Sequence, residues 1–309
     1  MRFSPGIFTI GATVSPRIAV ASGATAALLM AGFFVISRAG IQGAFTPVDL
    51  TFFRYASAIF LLPIFLRNNP ARLGGLGWRR GLVLAFCGGA AMNMLMASGL
   101  VYAPVAHASI FTQGTTPMFA ALLSMFFLGD RLTPGRVGGL VMILAGLATL
   151  SSGGIANAES GAWRGDLMFL GTSILWASFT VLLRTWRVDP VRALAIVAVV
   201  NFAVFAPIYF IFFDPVIMRL PVSEWWFQAV YQMIFVGIFA AVLYMRAVPV
   251  LGPARTALAV TLVPVFATIM AITMLGEVPG VLETIGMVIV LAGIVAAMGV
   301  RLNFRAAAG

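Results

Sequence analysis

The chain has no lysine, one cysteine, one histidine and only nine acidic residues in 309. Each scarcity removes a class of function. Cys87 lies in an apolar run with no second cysteine to pair with, so no disulfide framework exists and the thiol is expected to be buried and inert. A single histidine beside a single cysteine excludes ordinary metal clusters. No G-x-S-x-G elbow and no glycine-rich phosphate loop ending in lysine is present. The acidic residues fall at the ends of apolar runs or between them, which leaves no pair of buried carboxylates for an intramembrane aspartyl hydrolase. No catalytic residue, metal or cofactor is therefore assigned.

What fills the chain instead is apolar: 61% hydrophobic residues against 9% charged, far from soluble-domain averages of roughly half and a quarter. Crossing the hydrocarbon core takes about twenty mostly apolar residues. On that rule ten stretches qualify: 18–38, 49–67, 79–101, 104–128, 134–152, 166–185, 192–213, 225–246, 253–275 and 280–300. Pro, Gly, Asp and Arg occupy the breaks, as turns require. The first 17 residues lack the apolar core and small-residue cleavage site of a signal peptide, so they are expected to remain as a cytoplasmic segment.

All nineteen basic residues are arginines, and they sit between the runs. With the N-terminus inside, fifteen fall on the cytoplasmic side and only Arg38, Arg164 and Arg219 outside, while Arg54 lies within a span. Loops rich in Arg and Lys stay cytoplasmic, so the bias predicts a multi-pass membrane protein with both termini inside. The net charge of +10 is thereby topological, and no nucleic-acid partner is expected.

The chain is also a duplication. A shift of 147 positions carries Pro117 onto Pro264, Phe119 onto Phe266, Gly129 onto Gly276, Asp130 onto Glu277, Gly139 onto Gly286 and Gly146 onto Gly293. The same shift lays Trp78 on Trp225, and a shift of 146 lays Arg38 on Arg184. Five spans per half is an odd number, so the second half enters the membrane upside down relative to the first. The expected fold class is all-α: ten transmembrane helices as two inverted five-helix repeats, residues 18–152 and 166–300, joined by an outer linker at 153–165 and followed by a cytoplasmic tail at 301–309.

These residues carry a resemblance. Phe53-Arg54-Tyr55, the Pro117 to Asp130-Arg131-Leu132 segment with Gly138-Gly139 and Ala145-Gly146, and the second-half Leu275-Gly276-Glu277 resemble the drug/metabolite transporter superfamily, specifically its EamA-type ten-helix members. The resemblance spans roughly residues 20 to 300. Many members have Trp-Gly then Lys in the first span, where this chain has Ala31-Gly32 and Arg38. It implies export of amino acids or other small metabolites, and some bacterial members are similar to aromatic amino acid exporters.

Candidate site residues follow from the cost of polar groups in a bilayer. Arg54 can hold a substrate carboxylate by a bidentate pair, or else snorkel or pair with Asp49. His107, on one helical face with Phe111, Gly114 and Met118, can titrate and contribute to proton coupling, or simply bond a neighbouring helix. Asn93, Gln113, Asn201, Gln228 and Gln232 can line a cavity or join helices. Gln228, Gln232, Phe235 and Phe239 share a face at α-helical spacing and read as a pore wall. Trp176, Tyr231 and Tyr244 can stack on a substrate ring or sit at an interface, where Tyr102 is expected. Pro117 and Pro264 are expected inside helices, as hinges.

The expected partners are a small-molecule substrate and the lipid bilayer, with the chain acting as a monomer. A passive channel, a lipid translocator and a structural scaffold are the rival readings. Saturable counterflow separates a carrier from a channel.

Overall fold

The computed structural model describes residues 16–130, 133–155, 161–243 and 259–298. Among the described residues there are helices and no strand. The first half comprises α1 (Pro16–Gln42), α2 (Pro47–Tyr55), α3 (Ala58–Arg67), α4 (Trp78–Cys87), α5 (Ala90–Tyr102), α6 (Val105–Leu128) and α7 (Pro134–Ile155). The second comprises α8 (Ala162–Trp186), α9 (Pro190–Phe212), the single turn α10 (Val216–Arg219), α11 (Val222–Leu243), α12 (Val263–Leu275) and α13 (Val281–Ala297).

Each of the ten predicted stretches holds helix, but length separates them. Among the described residues seven helices are long and apolar enough to cross a membrane, counting α4 and α5 as one, and the bent pair α2 and α3 makes eight. α12 and α13, with 13 and 17 residues, are shorter. Part of the stretch expected to precede α12, residues 253–258, lies outside the described residues.

Local chemistry sets the helix ends. Thr46 and Asp49 form a capping box before α2, with Pro47 in its first turn. Asp189 accepts the Arg192 N–H at 2.9 Å to start α9. The equivalent glycines Gly129 and Gly276 end α6 and α12 in the left-handed region, at φ 68° and 69°, a conformation open to glycine without steric cost.

Two of the first-half spans are broken. α2 and α3 meet at 42° around Ala56 and Ser57. α4 and α5 part at Gly88-Gly89, and the backbone groups freed there are taken up by side chains. Asn201 of α9 accepts the Ala90 N–H at 2.8 Å and donates to the Ala85 carbonyl at 2.9 Å, while the Tyr55 hydroxyl donates to the Gly88 carbonyl at 3.2 Å. A lipid environment offers no water to do this, so the break survives only because neighbouring helices supply partners.

The halves interlock. α6 packs along α8 and, correspondingly, α12 along α1; α7 lies against α13. The central apolar cluster draws on both halves, with Phe34, Val35, Leu100, Ile110 and Ile143 meeting Phe169, Val263, Ala267 and Val290. The α7–α13 seam is antiparallel and, at Gly146 and Gly286, reciprocal. A methyl carbon on Gly146 would stand 2.8 Å from the Gly286 carbonyl oxygen, and one on Gly286 would stand 2.6 Å from that of Gly146. Further along the seam the contact is close but not reciprocal: a methyl carbon on Gly293 would stand 2.9 Å from the Gly139 carbonyl oxygen, and one on Gly139 would meet the Ala297 nitrogen. Equivalent helices meeting head to tail is the geometry inverted repeats produce. Gly138, next to Gly139 in the chain, has open space around it instead.

Phe126, Phe127, Ile211, Phe212, Val281 and Val288 point outward and are exposed. Such a surface is tolerated where lipid covers it.

Candidate functional site

Four of the candidate residues, Arg54, Gln228, Tyr231 and Gln232, converge on α1. Phe33 and Ser37 are one turn apart on one face of it. The Arg54 guanidinium from α2 lies 5.3 Å from the Phe33 ring centroid. Gln232 from α11 donates to the Ser37 hydroxyl at 2.8 Å. Two buried polar atoms here have no hydrogen-bond partner among the described residues: Nη1 of Arg54, a donor, and Oε1 of Gln232, an acceptor. Buried polar groups are nearly always satisfied, so an orphaned donor and an orphaned acceptor approaching the same stretch of α1 call for an explanation.

Arg54 does not pair with Asp49. That carboxylate is buried and already occupied: it accepts the Thr46 N–H at 2.8 Å, the Tyr209 hydroxyl, and the Val216 N–H at 3.1 Å. Asp49 therefore fastens α2 to the second half, and Arg54 is left without a carboxylate.

Gln228 and Tyr231 hold α1 by its backbone, Gln228 donating to the Ile36 carbonyl at 3.1 Å and Tyr231 to the Leu29 carbonyl at 3.0 Å. The wall expected from Gln228, Gln232, Phe235 and Phe239 does not form as one stripe. Tyr231–Ala240 is π-helical, and its i→i+5 hydrogen bonds widen each turn. Positions four apart then run in line. Gln228, Gln232, Val236 and Ala240 are buried, whereas Phe235 and Phe239 are 37% and 48% exposed and stack in a separate row with Tyr231.

Other candidates serve the frame. Asn93, buried on α5, donates to the Thr51 hydroxyl at 3.0 Å, joining α5 to α2. Asn201 seals the Gly88-Gly89 break. Gln113 is half-buried on α6. Trp176 stacks on Phe179 at 5.1 Å and is 38% exposed, away from the Arg54 group. Tyr102 lies under Arg164, 6.0 Å from ring centroid to guanidinium carbon. Tyr244 lies outside the described residues.

The two prolines differ. Pro117 is inside α6, where the Thr115 hydroxyl bonds the Phe111 carbonyl at 2.7 Å. Pro264 is not interior: it occupies the first turn of α12, after a turn at Thr261 and Leu262. A proline there removes no helical hydrogen bond, so of these two only Pro117 can bend its helix by that route.

A second polar group lies where α6 and α8 begin. His107, 1% exposed, has Nδ1 2.8 Å from Asp166 and Nε2 3.3 Å from Glu283. Beside it Arg38 bonds Glu277 at 2.7 Å, and Glu277 accepts the Val105 N–H at 2.9 Å. A cleft of about 260 Å³ is lined by Arg38, Ala106, Thr268, Glu277 and Glu283. Acidic residues at span ends are thus not all peripheral: Asp49 and Asp166 are buried. Sequence position places a residue along a helix, but not the face it presents, and both carboxylates turn toward partners from the other half. The trio holds no metal geometry, since its two carboxylates lie on opposite sides of the ring, and no group of His, Cys, Asp and Glu among the described residues does.

Comparison with known proteins agrees with this architecture. The EamA-like transporter family matches twice, over residues 17–152 and 163–299. An uncharacterized transporter of Archaeoglobus fulgidus is 27% identical over 274 residues, covering 86% of this chain and 92% of that protein. The transporter YyaM of Bacillus subtilis is 24% identical over 291 residues, covering 88% and 93%. A probable terminal-alkyne amino-acid exporter of Streptantibioticus cattleyicolor is 32% identical over 99 residues, 29% of this chain and 33% of that one. A solved crystal structure superposes with a TM-score of 0.60 at 22% identity, covering 92% of this chain and 97% of the other, which speaks to fold alone. With the family's domain present once in each half, the chain belongs to the EamA-like transporter family of the drug/metabolite transporter superfamily.

Proposed function

We propose that this protein is a secondary transporter of the bacterial inner membrane that exports amino acids, aromatic ones among them, or related small metabolites by alternating access between two inverted halves. Ten crossings with both termini cytoplasmic complete the proposed topology. The observation that carries it is the pair of orphaned buried atoms at α1. Nη1 of Arg54 donates and Oε1 of Gln232 accepts, and both have no partner among the described residues. A zwitterion is complementary to that pair: its carboxylate takes the guanidinium and its ammonium takes the amide oxygen. The Phe33 ring under Arg54 and the row of Tyr231, Phe235 and Phe239 offer apolar contact for a side chain. The amino-acid exporter among the distant relatives points to the same substrate class. Without a nucleotide-binding motif, the energy comes from gradients or exchange.

The test is counterflow in proteoliposomes preloaded with unlabelled amino acids, with labelled phenylalanine, threonine and methionine outside. Saturable uptake with trans-stimulation is expected, lost in Arg54→Gln and partly kept in Arg54→Lys, whose ammonium supplies the charge without the fork. Flux that rises linearly with concentration and shows no trans-stimulation would make the protein a channel. Absence of flux for every amino acid, in folded and inserted protein, would remove this substrate class and turn attention to labelled lipids.

A further inference from the structure

His107 sits between two carboxylates, and counting hydrogens shows what that requires. Nδ1 faces Asp166 Oδ1 at 2.8 Å and Nε2 faces Glu283 Oε1 at 3.3 Å. An ionised carboxylate only accepts, and a neutral imidazole has one N–H and one bare nitrogen. Two contacts need two hydrogens. The trio therefore holds one proton more than a neutral ring with two ionised carboxylates, whether that proton sits on the second ring nitrogen or on a carboxyl. The outer oxygens are also engaged: Asp166 Oδ2 accepts the Ser151 hydroxyl at 3.0 Å, and Glu283 Oε2 accepts the Gly280 N–H at 2.9 Å.

Remove that proton and a ring lone pair faces a carboxylate oxygen in a buried site, with two negative charges where there was one. Such an arrangement is repulsive, and the weaker contact gives way. That contact is to Glu283, which is longer and 21% exposed, against 8% for Asp166 and 1% for His107. Few other charges face the trio. From α1, Arg38 is paired with Glu277, which in turn holds the Val105 N–H. From α8, the Arg164 guanidinium lies over the Tyr102 and Trp163 rings. α7 offers Ser151, and α12 lines the neighbouring cleft with the uncharged Thr268. The cleft itself includes Glu283 in its wall, so the exchangeable member of the trio is the one that opens to it.

We infer that His107, Asp166 and Glu283 form a proton-binding site, loaded and emptied through Glu283, whose proton fastens α6 of the first half to α8 and α13 of the second. Its consequence for transport rests on the carrier reading: a proton bound preferentially by the state in which these helices are joined ties substrate movement to a proton gradient. Proton binding by the trio stands apart from that reading.

Because His107 is the only histidine in the chain, labelled histidine reports on one ring. The experiment uses the full chain, purified through a histidine-free tag, labelled with 15N-histidine and reconstituted in lipid nanodiscs, with imidazole nitrogen shifts followed from about pH 5 to pH 9. A single one-proton transition is expected, abolished or moved by at least about one pH unit, tenfold in proton affinity, in Glu283→Gln. A ring signal unchanged across the range in the unaltered protein, or the same transition in Glu283→Gln, would overturn the site. In proteoliposomes a pH gradient is then expected to drive uphill substrate accumulation by the unaltered protein, and Glu283→Gln to lose that drive. Counterflow that fails with the unaltered protein counts against the carrier reading, whereas intact counterflow indifferent to a pH gradient counts against the coupling.

Discussion

Arg38 and Arg184 occupy equivalent places in the two repeats, and each bonds the acidic residue that follows the Leu-Gly of the other half: Arg38 to Glu277 at 2.7 Å, Arg184 to Asp130 at 3.0 Å. The contact is made twice, once at each end of the bundle, but in different surroundings. The first pair is 17% exposed on both sides, and the second is 65% and 36% exposed.

Sheltered and open copies should differ in worth. Glu277 also holds the Val105 N–H and the Gln42 amide, so Glu277→Gln orphans several groups and is expected to cost about 1–3 kcal/mol. Asp130→Asn, at the solvent-screened pair, is expected to cost less than about 1 kcal/mol. Thermal unfolding of the reconstituted protein, followed by tryptophan fluorescence, measures both.

At the α7–α13 seam, Gly146→Ala and Gly286→Ala each place a methyl against the facing backbone, which cannot step aside as a side chain can. A loss of about 1–3 kcal/mol and a broadened size-exclusion peak are expected. Gly138→Ala, on the same helix with nothing within 4 Å of the added carbon, should behave as the parent.

Asn201 closes the gap between α4 and α5, so Asn201→Leu leaves the Ala90 N–H and the Ala85 carbonyl unpaired. Each unsatisfied group is expected to cost about 1–3 kcal/mol. Asn201→Asp keeps the acceptor and loses the donor, and should fall between the leucine variant and the parent in the same unfolding assay.

Pro117→Ala returns an N–H to the middle of α6, and with it a hydrogen bond worth about 0.5–1.5 kcal/mol. Higher thermal stability with slower counterflow is expected if that bend takes part in the transport cycle. Pro264→Ala restores no such bond, because the first turn of α12 has no partner for it, and should leave the counterflow rate near that of the parent.

Much of the frame was legible because membrane segments announce themselves by composition. Apolar runs, Gly and Pro at breaks and the 147-residue shift placed helix in each of the ten stretches, but not the breaks inside 49–67 and 79–101 nor the single turn α10. What stayed hidden depends on hydrogen bonding or on distance. The π segment has no compositional signature, so a stripe drawn at α-helical spacing joined Gln232 to Phe235 although the widened turn separates them. His107 and Glu283 are 176 residues apart, and nothing local marks either as the other's partner. Glu283 stands in the first turn of α13, where one oxygen caps the helix while the other reaches the ring. The Gly88-Gly89 break was equally hidden, because the residue that completes it, Asn201, lies in the other repeat.

The glycine seam bears on how the duplication has aged. Gly146 and Gly286 face each other, Gly293 faces the Gly139 carbonyl and Gly139 faces the backbone of Ala297, so each copy's smallest residues are held small by the backbone of the other. A larger side chain arising in either repeat collides with its sibling, and no compensating change within the same repeat relieves it. At these four positions the backbone of one copy limits the side chain of the other, which accounts for glycine at both members of the equivalent pairs Gly139–Gly286 and Gly146–Gly293.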